Sequence, residues 1–285
     1  MDRKAVARET LAIMEQGHYE YEGERISIRE GMEESIRRSI LITPEEGETL
    51  LTAYGEGKGT EGSSLSGKSE TGAMNGMEGA SPVGEMYSRV ENISTVDAIR
   101  KLVEEGKAEI GVLNFASAKN PGGGFINGAM AQEESLAASS TLYRTLLANE
   151  EYYKRNRAQS SMMYTDYGIY SPDVFFFRDG RFKLVKNPVK ASVLTLPAVN
   201  MGQIRIKGED VGAAQEAMRR RMKLALAIFA KQGAKNLMLG AYGCGVFRND
   251  PEMIAVWWKE LLEEGMQNYF DSIFYAVITS RNLNE

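Results

Sequence analysis

The chain holds one cysteine, Cys244, and one histidine, His18, in 285 residues. That scarcity excludes a disulfide framework, a Cys/His zinc cluster and the usual Ser-His-Asp or Cys-His catalytic groupings. Acid–base chemistry then falls to carboxylates, and no metal or cofactor is expected. Long apolar runs are missing as well. None reaches the roughly 18 residues of a membrane-spanning helix, and the opening Met1-Asp2-Arg3-Lys4 lacks the apolar core of an export signal. A cytoplasmic protein without a membrane partner is expected, with a monomer as the default. Positive charge is also in short supply, since 34 Lys and Arg stand against 39 Asp and Glu for a net charge of −5. Broad, sequence-independent binding to duplex nucleic acid needs an extended basic face and is not expected here. An anionic ligand can still be held locally by backbone N–H groups.

What is present reads as one sizeable α/β domain with an extension. Residues 2 to 16 carry Ala5, Leu11, Ile13 and Met14 among charges and predict an amphipathic helix, with another near 29 to 38 through Met32, Ile36 and Ile40. Residues 1–54 are therefore expected to be a helical N-terminal extension packed on the core. Gly, Ser, Glu and Lys dominate residues 55–84, which are expected to form a flexible loop. Residues 85–285 then alternate apolar, β-rich runs with helical stripes. The predicted strands are Met86 to Val90, Ile110 to Phe115, Asp173 to Phe177, Ser192 to Leu196, Asn236 to Gly240 and Ser272 to Thr279. The predicted helices are Thr95 to Glu105, Gln132 to Ala148, Glu209 to Gln232 and Pro251 to Glu264. Strands separated by helices imply a mixed, mostly parallel sheet covered by helices on both faces.

The stretch richest in chemistry is Gly122-Gly123-Gly124, followed a short loop later by Gln132-Glu133-Glu134. Consecutive glycines reach backbone angles closed to other residues and leave their N–H groups open to a phosphate or ribose. The triplet follows a predicted strand and precedes a predicted helix, where an open α/β sheet places its ligand crevice. The same residues also suit a plain strand-to-helix turn whose acids complement the helix dipole. Neighbouring side chains on a helix point about 100° apart, so Glu133 and Glu134 cannot face each other across a bond and should have different tasks. Their mutual repulsion, with ligand phosphates nearby, should raise the pKa of one, keeping it protonated as a general acid.

Gly240, Gly243 and Gly245 form a second loop between a strand and the helix at Pro251. Tyr242 and Phe247 beside it suit either ligand stacking or core packing, and Cys244 suits packing better than nucleophilic work because no histidine is at hand to activate it. Arg219, Arg220, Arg221 and Lys223 invite a polyanion reading, but a solvated helix face explains them better, because Met218, Met222, Ala225 and Phe229 form the buried stripe. Gly62 to Ser69 matches the phosphate-binding P-loop pattern, yet its flanks offer neither the preceding strand nor the following helix that such a loop needs.

The segment Leu113-Asn114-Phe115-Ala116-Ser117-Ala118-Lys119-Asn120-Pro121-Gly122-Gly123-Gly124-Phe125, with Ala131-Gln132-Glu133-Glu134-Ser135-Leu136, resembles the signature region of bacterial-type poly(ADP-ribose) glycohydrolases. Leu239 to Pro251 resembles that family's other glycine-rich loop. The similarity extends to the N-terminal helices, Tyr152-Tyr153, Ile169-Tyr170-Ser171-Pro172 and Pro197-Ala198-Val199-Asn200, where Val199 stands in place of an expected proline.

The resemblance implies a macrodomain-like core that binds ADP-ribose, with both glycine loops cradling its diphosphate. Glu134 would be the catalytic acid and base, and Glu133 would orient the terminal ribose. Val246 and Phe247 would pack on the terminal unit and favour cleavage from the free end of the polymer. Asn120, Gly122, Gly123, Gly124, Phe125, Gln132, Gly243, Cys244 and Gly245 would complete the substrate-binding set. A non-hydrolysing ADP-ribose reader, a mono-ADP-ribosyl hydrolase and a P-loop NTPase are the alternatives.

Overall fold

The computed structural model describes residues 2–54 and 86–278. Helix α1 (Arg3–Gln16) starts at Asp2, whose carboxylate accepts the N–H groups of Lys4 and Ala5, and stops at Gly17 in the left-handed conformation. A hairpin of β1 (His18–Tyr21) and β2 (Glu24–Ser27) follows, then α2 (Arg29–Arg38), β3 (Ile40–Ile42) and α3 (Pro44–Tyr54). The chain continues through β4 (Tyr87–Glu91), α4 (Thr95–Glu104), β5 (Ile110–Ala116) and a 3-10 turn at Phe125–Asn127. Next come α5 (Gln132–Ser139), α6 (Leu142–Ala148) and α7 (Glu150–Ala158), then β6 (Gly168–Arg178) and β7 (Leu184–Pro197). The last elements are α8 (Met201–Lys207), α9 (Val211–Lys231), β8 (Asn236–Leu239), α10 (Pro251–Glu263) and β9 (Ser272–Ala276).

Seven strands form one sheet in the order β3-β6-β7-β5-β8-β9-β4. Strands β7, β5, β8, β9 and β4 run parallel, and β6 runs antiparallel to both β7 and β3. Each face has its own core. On one face, Met218, Met222, Leu226 and Phe229 of α9 and Trp258 of α10 pack with Leu113, Leu194, Leu237 and Ile273. On the other, Ile99 of α4, Leu136 of α5, Leu142 of α6 and Tyr152 of α7 pack with Val112, Val193, Met238 and Phe274. Alternate residues of one strand thus feed opposite cores, as a two-sided parallel sheet requires. Because β5, β7 and β8 are parallel, their carboxyl ends share one edge, and the loops at 117–131, 198–200 and 240–250 meet there.

The expected α/β architecture is present, with amendments at two places. The N-terminal segment is not wholly helical, since it holds the β1–β2 hairpin and sends β3 into the main sheet through Ile40↔Tyr170 to Ile42↔Gly168. The expected helix Gln132 to Ala148 is two helices. Between them Ser140 is extended and bridges to Phe176, and Thr141 exchanges hydrogen bonds with Phe175, so pairing with β6 pulls the chain out of the helix. The glycine-rich stretch 55–84, the P-loop-like Gly62 to Ser69 and Thr279 lie outside the described residues. Among the described residues no helix is long and apolar enough to cross a membrane.

Candidate active site

The first loop leaves β5 at Ala116 and is drawn tight by its own side chains. Ser117 Oγ accepts the N–H groups of Lys119 and Asn120, and Asn120 O accepts that of Gly123. Gly122 and Gly123 lie at φ +65° and +60°. A side chain at Gly123 would collide with Glu134 Oε1, so only glycine allows both this backbone and this carboxylate. The N–H groups of Gly123 and Gly124 do not point outward as expected from the sequence. They are used within the loop, and Gly124 donates to Glu134 Oε1 at 2.9 Å.

Gln132 opens α5 and holds it to the sheet. Its Oε1 accepts Phe115 N–H at 2.8 Å and its Nε2 donates to Leu113 O at 2.8 Å, beyond the point where β8 stops pairing with β5 at Val112↔Met238. Both ends of the amide are therefore engaged by the protein itself. The two acids after it diverge as the helix angle dictates. Glu133 turns inward and is 2% exposed. Its Oε2 accepts Ser117 N–H at 2.6 Å and its Oε1 accepts Asn114 Nδ2 at 3.2 Å. Burial pushes the Glu133 carboxyl up to about 8; the Ser117 and Asn114 donors work against that shift and the neighbouring Glu134 charge adds to it. The raised member of the pair is thus the buried Glu133, and desolvation outweighs the repulsion anticipated from the sequence. Glu134, half-buried, faces a gap of about 10 Å³ that it shares with Arg3, Phe125, Ala129 and Phe182.

The second loop leaves β8 and is pinned by Asn249, whose Nδ2 donates to Val199 O at 2.8 Å and Gly243 O at 3.0 Å. Gly202 N–H donates to Phe247 O, tying this loop to the start of α8. Among the described residues, the N–H groups of Gly245, Val246 and Phe247 meet no protein acceptor, which leaves three successive donors available to an anion. Val246 is 81% exposed, and the Phe247 ring lies 6.0 Å from that of Tyr164, a residue held at φ +59°. From Gly240 and Ala241 an apolar groove of about 560 Å³ runs between α10 and β9, past Trp258 and Tyr275, to Val90 and Val277.

Gly122, Gly123, Gly124, Gln132, Glu133 and Glu134 come together on the first loop, and Gly243, Cys244, Gly245, Val246 and Phe247 on the second. Asn120 is exposed at the outer bend. Three readings change. The Phe125 ring is 2% exposed and packs edge-on against Tyr143 at 4.9 Å, so it belongs to the core beneath the loop and is not free to touch a ligand. Tyr242 is fully buried, its hydroxyl donating to Leu196 O at 2.9 Å, which settles its alternatives for packing. Arg221 is not on a solvated face. It is buried, donating to Asp166 at 2.8 Å, Met163 O at 2.7 Å and Pro197 O at 3.0 Å, whereas Arg219 and Arg220 do pair with surface acids. The Cys244 thiol is pushed up to about 11, chiefly by burial, which suits packing.

Sequence reasoning missed the roles of Asn114 and Ser117 as holders of Glu133, and that of Asn249 in the second loop. Asn114 left a signal, being a polar residue inside an otherwise apolar strand. Among the described residues, no group of three or more His, Cys, Asp or Glu side chains is placed to hold a metal ion.

The family described as "Microbial-type PARG, catalytic domain" matches residues 7–179. Among solved structures, the poly(ADP-ribose) glycohydrolase of Thermomonospora curvata is 33% identical over 99% of this chain and 95% of its own, with a TM-score of 0.85. The same enzyme bound to the inhibitor ADP-HPD matches at 33% identity over 98% of this chain and 94% of its own, with a TM-score of 0.83. The Deinococcus radiodurans poly(ADP-ribose) glycohydrolase in complex with ADP-ribose is 36% identical over 88% of this chain and 91% of its own, with a TM-score of 0.76. No curated protein matches the chain.

Proposed function

The chain belongs to the microbial-type poly(ADP-ribose) glycohydrolases and hydrolyses poly(ADP-ribose), and on that premise we propose that it works from the free end of the polymer with Glu134 as general acid and base. The observation that carries the assignment is the divergence of the two acids. Glu133 is sealed against Asn114 and Ser117, while Glu134 is half-buried and held by a single N–H of the glycine triplet. Its smaller burial and single donor support Glu134, and not Glu133, as the group that exchanges a proton with the substrate.

The terminal ribose sits over the first loop, which Glu133 braces from beneath through Ser117 N–H; buried as it is, Glu133 acts on the ribose through the loop and not by direct contact with its hydroxyls. The free N–H groups of Gly245, Val246 and Phe247 grip that diphosphate. The apolar groove beyond Ala241 has the size and lining of a nucleoside site and takes the adenosine. Glu134 protonates the 2′-oxygen of the preceding unit as its bond to the anomeric carbon breaks and an oxocarbenium ion develops. The resulting carboxylate then takes a proton from the water that adds to that carbon. The products are ADP-ribose and a polymer shortened by one unit, and no metal enters the scheme. Val246 and Phe247 close the terminal site and favour the chain end.

Glu134→Gln tests the proposal. It removes the proton donor while keeping the shape and the oxygen that accepts Gly124 N–H. ADP-ribose release from polymer should fall by at least about 10²- to 10⁴-fold, with ADP-ribose affinity by calorimetry nearly unchanged. Polymer hydrolysis at the unaltered rate would overturn the role given to Glu134.

A further inference from the structure

We propose that Arg157, in the last turn of α7, is a positioning residue for the reaction, holding the turn of the first loop that fixes Glu134. The inference rests on Glu134 as the acid, because the contacts that start at Arg157 end on that carboxylate.

Arg157 Nη1 donates to Lys119 O at 2.6 Å, a short, charge-assisted bond to a loop carbonyl 38 positions away in the chain. The cations beside it on α7 behave differently. Lys154 and Arg155 pair with Glu150 and Glu151, one turn back on the same helix. One turn back from Arg157 stands the buried Tyr153, and among the described residues Arg157 makes no ion pair. Its charge is committed to the first loop.

The peptide between Lys119 and Asn120 is clamped at both ends, its carbonyl by Arg157 and its N–H by Ser117 Oγ at 3.1 Å. The next carbonyl, Asn120 O, accepts Gly123 N–H at 3.0 Å and closes the turn in which Gly122 and Gly123 take positive φ. Gly124 N–H then meets Glu134 Oε1 at 2.9 Å. Tyr152 reaches the same loop from inside, its hydroxyl donating to Ser117 O at 3.4 Å. Helix α7 thus grips the loop on either side of buried Ala118. Among the described residues no other group donates to Lys119 O, so without Arg157 that peptide is held at its N–H alone. The slack passes along the turn to Gly124 and the acid, and a displacement of about 1 Å at a reacting group costs up to about 10²-fold in rate.

Arg157→Met keeps the stem and removes the donor. kcat for polymer should fall about 10- to 10²-fold, with KM and the calorimetric affinity for ADP-ribose within about twofold. The urea midpoint should hold, because Arg157 is exposed. Arg157→Lys, which still brings a charged donor toward the carbonyl, should recover most of the lost rate. Arg155→Met, which removes an exposed pair on the same helix, should leave kcat unaltered. In a Glu134→Gln background Arg157→Met should lower the residual rate by less than about twofold, since the residue through which it acts is gone.

An unaltered kcat in Arg157→Met would overturn the proposal. So would a raised KM at constant kcat, which would place Arg157 against the substrate, or a kcat loss matched by a lowered urea midpoint. A full further loss in the Glu134→Gln background would overturn it as well. Glu134→Gln by itself decides the reading on which the proposal rests, so the two fail separately.

Discussion

At the scale of the residue, two chemically identical side chains acquire different properties from one peptide's difference in position. Glu133 leaves water almost completely, and its carboxyl is pushed up to about 8 by that burial. Unfolded, the same group titrates near 4.3. The folded state therefore binds this proton more tightly than the unfolded state does. Its contribution to stability is full below about 4.3 and is lost as pH rises through about 8. Urea unfolding at a series of pH values should show stability falling between pH 5 and 8, and Glu133→Gln should flatten that fall. An identical slope in both proteins would mean that Glu133 is not held neutral. The adjacency of the acids and the need for two tasks were legible in the sequence; which acid would be buried was not. Its holders, Asn114 and Ser117, lie on the preceding strand and loop, and only folding brings them to α5.

At the scale of the element, α5 is short and its first turn carries both acids, so its docking matters more than its helix propensity. Gln132 performs that docking by acting as a piece of strand, completing backbone groups of β5 that β8 no longer reaches. Gln132→Ala leaves Phe115 N–H and Leu113 O without partners in a part-buried place. A loss of about 1 to 3 kcal/mol in urea unfolding is expected, together with slower polymer hydrolysis as the helix loosens. Full stability in this variant would show that water replaces the amide at no cost. The glycine triplet followed by acids pointed to a candidate site here. The sequence could not show that Gln132 serves the sheet, because a glutamine before a helix reads equally as a ligand contact or a cap.

At the scale of the whole molecule, the site exists because three parallel strands end together and their loops are tied to one another. Arg221 is one of the ties. From the middle of α9 it reaches the carboxyl end of β7 at Pro197 and the loop carrying Met163 and Asp166. Arg221→Met should cost about 3 kcal/mol, since it breaks a buried charge contact and orphans two carbonyls. Arg219→Met, which removes exposed pairs with Glu260 and Glu264, should cost less than about 1 kcal/mol. Equal effects in thermal or urea unfolding would contradict the burial argument. The sequence pattern placed all three arginines on one polar face. A long side chain can carry its charge from a helix surface into a carbonyl-lined niche, and periodicity does not register such a reach.

The sequence by itself determined the classes of chemistry available to this protein. One histidine and one cysteine pointed to carboxylates as acid and base, and alternating apolar runs and stripes required a two-sided sheet. These follow from composition and period, which survive any arrangement in space. Only the tertiary structure decided that Glu133 is sealed and Glu134 half-buried, that Phe125 and Tyr242 pack inward, and that α1 packs beside the first loop. Each depends on contacts between residues far apart in the chain, such as Ser117 with Glu133 and Lys4 with Gly128. Burial, which sets both pKa and access, is a property of those contacts and not of the residue that carries the charge.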